Sequence, residues 1–260
     1  MRNDQVKNDS TMIRDEQPEA EPREASEMSP IIRVENVSRD YRVGSTIVSA
    51  IRNLTLEVPE GVFASFKGRS GSGKTTLLNL IGGLDRPTGG EIYLFGKPLS
   101  QLSGSDLTEL RRHRIGFVFQ SFAIMPTFSA LENVELMLRI AGVQRGRRER
   151  ALRCLEIVGL RAWAHHRPWE LSGGQQQRVA IARSLATHPS LMLADEPTGE
   201  LDSTTGRQIL ALFRYIVEKE GVTIIIATHD PIIEEYAHIV YELGDGQVRS
   251  VHRPDNAIPR

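Results

Sequence analysis

Residues 68–75 read Gly68-Arg69-Ser70-Gly71-Ser72-Gly73-Lys74-Thr75, which fits the pattern G-x-x-x-x-G-K-[ST] of a phosphate-binding loop. The glycines allow the backbone to turn tightly and to point successive N–H groups at a phosphate. A strand-like apolar run precedes the loop at residues 62–66, and a helix-like run follows it. Because a helix N-terminus also favours an anion, we expect a nucleoside triphosphate here. Lys74 would contact its β- and γ-phosphates, and the Thr75 hydroxyl would bind Mg²⁺.

The composition is that of an ordinary globular protein, with 260 residues, 40% hydrophobic side chains, 25% charged side chains and a net charge of -1. This balance gives no overall attraction to nucleic acid or to anionic lipid. The single cysteine, Cys154, excludes an intrachain disulfide and favours a reducing compartment. Residues 1–4 carry no apolar signal core, and the most apolar run, Thr223–Ala227, is too short to span a bilayer. We therefore expect any membrane role to come through a partner chain.

Composition and periodicity divide the chain into a tail and one domain. Residues 1–30 are rich in Asp, Glu, Arg and Pro, so we expect a disordered tail. Strand-like segments begin at Ile31 and recur at residues 46–50 and 54–58, which predicts an antiparallel sheet ahead of the loop. From Leu171 onward helices alternate with apolar strands, which predicts an α/β fold with a mostly parallel sheet covered by helices.

Two helices are predicted between these parts. Ser129-Ala130-Leu131-Glu132 has the form of a capping box and begins the first of them. The second carries a run of arginines at residues 147–153 opposite apolar side chains. Contact of that run with lipid headgroups is one interpretation, and a solvated helix face is the interpretation we prefer.

Polar side chains follow several of the apolar strands. Asp195 and Glu196 end one strand, and the carboxyl edge of an open α/β sheet is where ligands bind. Asp195 suits a Mg²⁺ position opposite Thr75, and Glu196 can polarise a water aimed at a γ-phosphate. His229 follows the next buried strand and can orient that water. Gln120 follows another, and its amide can reach the metal or the water.

A second glycine-containing turn reads Leu171-Ser172-Gly173-Gly174-Gln175-Gln176-Gln177-Arg178 and opens onto a predicted helix. Physically it is another anion-binding helix N-terminus. Two phosphate-seeking turns in one chain make sense if the second serves the nucleotide of another subunit.

With these motifs in order, residues 31–249 resemble the ATP-binding subunit of an ABC transporter. LSGGQQQR is close to diagnostic of that family, and GRSGSGKT, LMLADEPTGELD and THD accompany it. The resemblance implies a P-loop NTPase core with an N-terminal antiparallel β subdomain and a helical subdomain, the ABC ATPase fold, over residues 31–255, with the helical subdomain at about 121–175. It also implies hydrolysis of ATP with Mg²⁺, in which Glu196 is the base and His229 and Gln120 arrange water and metal.

The same resemblance implies a set of nucleotide-binding residues divided between two copies of the chain. They are Tyr41, stacked on adenine, with Gly68, Arg69, Ser70, Gly71, Ser72, Gly73, Lys74, Thr75 and Thr76 from one copy, and Ser172, Gly173, Gly174 and Gln175 from the other; the metal ligands are Thr75, Gln120 and Asp195. The implied assembly is a head-to-tail dimer that closes on ATP.

Finer features, such as GFVFQSF and SALENVEL, resemble the MacB/LolD-type branch of macrolide-exporter and lipoprotein-releasing ATPases. This implies a separate integral membrane permease of the MacB/FtsX-like type, with no nucleic acid partner and no direct membrane insertion. The chain would be cytoplasmic and peripheral on the inner face of the cell membrane, driving export or extrusion. Phe119, Phe122, Met125 and Phe128 lie where the family meets its permease; core packing is an equally good interpretation of these four.

Some alternatives and departures remain. A P-loop kinase would not need LSGGQ, and a DNA-repair or chromosome ATPase of this class would carry a long coiled coil between Lys74 and Ser172, where heptads are not sustained. A mechanical role, moving a membrane partner that transports nothing, as in cell division, stays open. Glu200 stands where this branch usually has Asn, at the presumed dimer seam. Lys67 replaces a usual apolar residue just before the loop.

Overall fold

A computed structural model describes residues 30–255. The predicted tail at residues 1–30 therefore lies outside the described residues, except for Pro30, which begins the first strand. The elements are, in chain order, β1 (Pro30–Val43), β2 (Thr46–Pro59), β3 (Phe63–Lys67), α1 (Lys74–Ile81), β4 (Gly89–Leu94), β5 (Lys97–Pro98), α2 (Gly104–His113), β6 (Ile115–Val118), α3 (Ala130–Ile140), α4 (Arg147–Ile157), α5 (Gly173–Leu185), β7 (Leu191–Asp195), α6 (Ser203–Glu220), β8 (Thr223–Thr228), β9 (Ile239–Gly244) and β10 (Gln247–His252). Short 3-10 turns separate some of them.

The described strands form two sheets. The first is antiparallel in the order β2-β1-β4-β5, and the second has the order β10-β9-β3-β8-β7-β6. In the second sheet β9, β3, β8, β7 and β6 run parallel, and β10 pairs antiparallel with β9. The predicted antiparallel N-terminal sheet and mostly parallel core are confirmed. The two segments predicted at residues 46–50 and 54–58 are one continuous strand, β2, which bends at irregularities in its pairing with β1.

The central strands are largely apolar because both of their faces are covered. Successive side chains of a strand point to opposite faces, and β3 divides accordingly. Phe63 enters a core built with α3 to α6, whereas Ala64 and Phe66 enter a second core built with α1 and the antiparallel sheet. In β8, Ile224 and Ile226 join the first core, and the residues between and after them join the second. The uninterrupted apolar runs in the sequence thus reflect a sheet buried on both faces.

Helix starts follow the capping chemistry. The predicted capping box at Ser129 and Glu132 begins α3, and the same reciprocal arrangement of Ser172 and Gln175 begins α5. Helix α2 was not predicted from the sequence, although Ser103 and Asp106 form a third such box at its start. Strands β9 and β10 were not predicted either. No helix within residues 30–255 is long and apolar enough to cross a lipid bilayer.

One fully buried amide connects the segment after β6 to α3. The side-chain NH2 group of Asn133 lies among three carbonyl oxygens, those of Met125 (3.1 Å), Phe128 (3.2 Å) and Ser129 (3.0 Å), which share its two hydrogens. Its side-chain oxygen accepts from the Met125 N–H at 2.7 Å. Because Asn133 is 0% exposed, water cannot replace these partners. This side chain therefore fixes the path of the chain between β6 and the helical region.

We expect Asn133→Ala to lower the free energy of unfolding by about 2–4 kcal/mol, because several buried or partly buried backbone groups lose their partner at once. Urea denaturation followed by circular dichroism measures the change. Gln144→Ala, which removes an exposed loop amide, is the matched control and should stay within about 0.5 kcal/mol of the parent. Equal stability of the two variants would show that Asn133 does not anchor this segment.

Candidate functional site

The phosphate-loop segment connects β3 to α1 and is closely packed from both sides. Gly71 and Gly73 adopt left-handed backbone angles, with φ of 77° and 101°. A Cβ atom at Gly73 would lie 2.7 Å from the carbonyl oxygen of Ala50 on β2, and one at Gly68 would lie 2.4 Å from that of Leu243 on β9. Only glycine fits these two contacts, so the motif glycines are required by packing as well as by the turn.

Lys74 begins α1 and folds back over the loop. Its ammonium group donates hydrogen bonds to the carbonyl oxygens of Gly68 (2.8 Å) and Arg69 (3.1 Å), and its Nζ lies 3.7 Å from Oε1 of Glu196. The residue is only 6% exposed. A cation is therefore held at the open side of the loop, where a phosphate would meet it.

The carboxyl end of β7 brings two acids to the same edge. The Thr75 hydroxyl donates to Oδ1 of Asp195 at 3.1 Å. Burial raises the pKa of Asp195 and the charge of Glu196 adds to the rise, with the Thr75 hydrogen bond and Lys74 acting in the opposite direction. Glu196 has a φ of 44°, which is uncommon for a residue with a side chain. This turn at the strand end directs its carboxylate toward Lys74 and away from the line of the strand.

His229 and Gln120 complete this edge. Nδ1 of His229 lies 3.0 and 3.1 Å from the two carboxylate oxygens of Glu196. Gln120 lies two residues beyond β6, which ends at Val118. Its side-chain amide lies against Gly199, where a Cβ atom would be 3.1 Å from Nε2. Loops from four strand ends thus meet at one place.

A cavity of about 630 Å³ opens at this edge. Among the predicted site residues, it is lined by Tyr41, Ser70, Gly71, Gly73, Lys74, Thr75, Thr76, Gln120, Glu196 and His229. Gly68 and Arg69 line an adjoining cavity with Ser70 and His229. Ser72 is buried within the loop, and its hydroxyl has no partner there. The tertiary structure therefore gathers the loop and the strand-end residues as the sequence predicts.

The Ser172–Gln175 turn is not part of this cavity. Ser172 is exposed at the start of α5, with its hydroxyl accepting the Gln175 N–H at 3.3 Å. The nearest side chains to the Cβ position of Gly173 are Leu201 and Phe122. The turn faces outward, apart from the loop of its own chain.

Lys67 and Glu200, the two residues that depart from the usual pattern of the branch, have different surroundings in the structure. Lys67 forms ion pairs with Glu234 and, at 3.3 Å, with Glu242, and the hydrogen bond to Glu234 is the main reason that its pKa is raised. The junction of β3 with the loop is kept by a hydrogen bond from the Gly68 N–H to the Thr228 carbonyl at 3.2 Å. Glu200 is exposed and makes no ion pair within residues 30–255.

Two residues beside the cavity were missed by the sequence analysis. Asp85 accepts a hydrogen bond from the Tyr41 hydroxyl at 2.7 Å, and the Nε of Arg39 donates to the same carboxylate at 2.9 Å. Neither Arg39 nor Asp85 belongs to a sequence motif or to a periodic pattern, and 44 positions separate Tyr41 from Asp85 along the chain. Only the folded chain reveals this contact.

Comparison with known proteins identifies the family. The ABC transporter family model matches residues 51–199, from β2 through the loop to the residues after β7. The chain belongs to the ABC transporter family. Its predicted fold and its ATPase class are confirmed by these matches and by those that follow.

Individual relatives agree with this assignment. An uncharacterized ABC transporter ATP-binding protein of Methanocaldococcus jannaschii, MJ0796, is 47% identical over 223 residues, which is 84% of this chain and 95% of the relative. A macrolide export ATP-binding/permease protein, MacB, of Syntrophobacter fumaroxidans is 44% identical over 84% of this chain, which spans 31% of that protein. A dimeric structure of MJ0796 in a post-hydrolysis state, bound to ADP and Pi, has a TM-score of 0.77 and 44% identity and covers 85% of this chain and 98% of that one.

We expect Lys74→Ala to abolish tight binding of ATP with Mg²⁺, because a phosphate would lose its charge-assisted partner. The two hydrogen bonds from Lys74 to loop carbonyls also indicate a modest loss of stability, on the order of 1 kcal/mol. Isothermal titration calorimetry and thermal unfolding measure the two effects. Lys97→Ala, at an exposed lysine of β5, is the control. Parent-like ATP affinity in Lys74→Ala would refute the assignment of the phosphate loop.

Proposed function

We propose that this ABC-family ATPase works as a head-to-tail dimer whose closure on ATP drives a membrane permease. The observation that carries the proposal is that two turns able to bind an anion, the phosphate loop and the Ser172–Gln175 turn, lie apart in one chain. The phosphate loop lines a cavity with the strand-end residues, whereas Ser172–Gln175 opens outward at the start of α5. A second copy, turned head to tail, would bring its own turn over that cavity. Each nucleotide would then need both chains. MJ0796 has been solved as a dimer, which supports this arrangement.

Within each site the residues take the roles that the resemblance implies. The loop from Gly68 to Thr76 would cradle the phosphates, and Tyr41 would stack on adenine. Glu196 would accept the proton of the attacking water, and His229 with Gln120 would orient that water. The contacts of Glu196 support its role, since Lys74 and His229 both lie against its carboxylate. Catalysis would consist of positioning and stabilisation of developing charge.

Mg²⁺ fits the residues at the loop. Thr75 and Asp195 present a hydroxyl and a carboxylate that are already in contact at 3.1 Å, and oxygen ligands are those that Mg²⁺ prefers. Within residues 30–255 no group of three or more His, Cys, Asp or Glu side chains is placed to hold a metal. That agrees with Mg²⁺, which usually takes one or two carboxylates together with substrate phosphates. Thr75, Asp195 and Gln120 would hold it. When bound, it would neutralise charge on the phosphates.

We also propose that residues 31–255 form one domain and that residues 121–175, approximately, form a helical subdomain within it. The subdomain would contain α3, α4 and the start of α5. The side chains of α3 and α4 pack into the core on one face of the central sheet, which supports treating the whole as one folding unit.

A permease would bind at a separate, largely apolar cavity of about 330 Å³, whose lining includes Phe119, the residue before Gln120. Phe117 and Phe119 stack in its wall with ring centroids 6.0 Å apart, and exposed Leu84 and Ile140 lie at its rim. Met125 and Phe128 are also exposed, at 43% and 37%, which favours contact with a partner over the core packing considered above. Phe122, beside Gly173, is half-buried.

The partner would be an integral membrane permease of the MacB/FtsX-like type, and this chain would lie on the cytoplasmic face of the membrane. The MacB relatives are macrolide export ATP-binding/permease proteins by name, which supports an export or extrusion role. The alternative is a mechanical role, in which ATP cycles move a membrane partner that transports nothing. Co-purification of the membrane partner from detergent extracts would distinguish the two by its identity.

The shared-site proposal is tested by the mass of the protein with ATP, measured by light scattering. Glu196→Gln keeps the shape of the base but removes its charge, so the closed ATP-bound dimer should accumulate. Adding Ser172→Arg should give a monomer that still binds ATP, because bulk and charge block the docking of a γ-phosphate.

Ser103→Arg is the matched control for Ser172→Arg. Ser103 also begins a helix through a capping box, on α2, so the control loses the same cap away from the proposed seam. Glu196→Gln with Ser103→Arg should remain a dimer. A monomeric Glu196→Gln protein that hydrolyses ATP normally would contradict both the base assignment and the shared site.

Glu200 allows a second test of the seam. Since its carboxylate has no ion-pair partner among residues 30–255, an extra negative charge should oppose closure. We expect Glu200→Asn to raise the dimer population at a given ATP concentration, or the Hill coefficient of hydrolysis. Glu60→Gln, at an exposed acid after β2, is the control. Unchanged dimerisation and cooperativity would mean that Glu200 is paired or solvent-facing in the dimer.

A further inference from the structure

Tyr41 lies on a part of β1 that extends beyond the sheet. β4 pairs with β1 only as far as Ser38, opposite Gly89. From Arg39 onward β1 pairs with β2 alone, and residues 42–48, which include the hairpin turn, are all exposed. A two-stranded ribbon is marginally stable in water without further support. The ring of Tyr41 therefore needs an anchor outside its own hairpin if it is to keep one orientation.

Asp85 provides such an anchor. The Tyr41 hydroxyl donates to Oδ2 of Asp85 at 2.7 Å. Arg39 contacts the same carboxylate through two nitrogens: Nε lies 2.9 Å from Oδ2, and Nη2 lies 2.8 Å from Oδ1. The Asp85 N–H in turn donates to the carbonyl of Asn79 in α1 at 3.2 Å. The carboxylate thus connects the ribbon to the helix that begins at the phosphate loop.

Arg39 also restrains the ring directly. Its guanidinium carbon lies 4.5 Å from the centroid of the Tyr41 ring, within the range of a cation–π contact. Side chains of Arg39 and Asp85 are only 22% and 24% exposed, so solvent screens their charges incompletely. Burial alone would raise the pKa of Asp85, but hydrogen bonds from Tyr41 and the Arg86 N–H and the charge of Arg39 outweigh it and lower that pKa. The carboxylate is therefore charged at neutral pH.

A second connection holds the ribbon without touching the ring. The Thr88 N–H donates to the Ser38 carbonyl at 2.8 Å, and the Asp40 N–H donates to the Thr88 hydroxyl at 3.3 Å. Removal of the Asp85 carboxylate would leave these bonds and the pairing of β1 with β2. The expected consequence is an intact hairpin on which the Tyr41 ring has lost its hydrogen bond and keeps only the contact with Arg39.

We propose that Asp85 and Arg39 are positioning residues that hold the Tyr41 ring in the cavity wall, and so set how much the base contributes to ATP affinity. The inference rests on the proposed function, which assigns the base to Tyr41. Tyr41 lines the same cavity as Lys74 and Thr75, so a nucleotide held at the loop can reach its ring. A pre-oriented ring binds a base more tightly because no ordering cost is incurred at the moment of binding.

The experiment compares the affinities of the chain for ATP and for inorganic tripolyphosphate, both with Mg²⁺, by calorimetry. Asp85→Ala should weaken ATP binding by roughly three- to tenfold, the range that corresponds to the net contribution of one typical hydrogen bond. Tripolyphosphate has no base, so its affinity should not change. The ratio of the two affinities is the readout, because a damaged fold or loop would lower both together.

Tyr41→Phe is the second variant, since it keeps the stacking ring and loses only the hydrogen bond to Asp85. It should lower the ratio of ATP affinity to tripolyphosphate affinity. In the double variant with Asp85→Ala, the loss of binding free energy for ATP should be smaller than the sum of the two single losses, as it is for coupled residues. Glu156→Ala, which removes an acid paired with Arg161 at 3.2 Å on the helical region, is the matched control and should leave the ratio unchanged.

Tyr41→Ala separates this inference from the proposed function. If it lowers the ratio while Asp85→Ala and Tyr41→Phe do not, Tyr41 binds the base without help and the positioning role is overturned. If Tyr41→Ala leaves the ratio unchanged, the base does not bind at Tyr41, and both the assignment and the inference fail. Additive effects in the double variant would also overturn the positioning role.

Discussion

The close packing of the phosphate loop between two neighbouring segments is the constraint on which the site depends. On one side the Ala50 carbonyl leaves no space for a Cβ atom at Gly73, which would lie 2.7 Å away. On the other side the Gly246 N–H, in the turn between β9 and β10, donates to the Ser72 carbonyl at 3.1 Å. The antiparallel sheet and the last hairpin thus hold the loop from outside. Its N–H groups keep their direction, so little reorganisation is needed when a phosphate arrives.

The second determinant is the parallel order of the central sheet. Because β3, β7 and β8 are neighbours and run in one direction, their carboxyl ends deliver Lys74, Glu196 and His229 to one place. The charges there are partly removed from water, which strengthens each electrostatic contact. The elements that cover both faces of the sheet make this possible, since they allow the strands to be largely apolar.

Much of the fold and site could be predicted because the signals are local. The loop motif, the apolar strands and the capping box at Ser129 each lie within a few residues, and the structure contains all three. Elements and contacts were predicted less well where they depend on residues that are distant in the sequence or where the hydrophobic pattern is weak. The two segments of β2 looked separate because bulges interrupt their alternation, and α2 was missed because its apolar content is low. The ion pairs that satisfy Lys67 come from residues far along the chain.

The sequence by itself determined the family, the order of the motifs and the identity of the residues at the strand ends, because glycines, lysine and acids at fixed spacing carry their chemistry in the local chain. Only the tertiary structure decided how the motif residues are positioned relative to one another. It directs the Glu196 carboxylate to Lys74, leaves the Ser172 turn outside the cavity, and ties Tyr41 to Asp85. Such contacts depend on the packing of two sheets against α1, and no periodicity in the sequence encodes a contact across 44 positions.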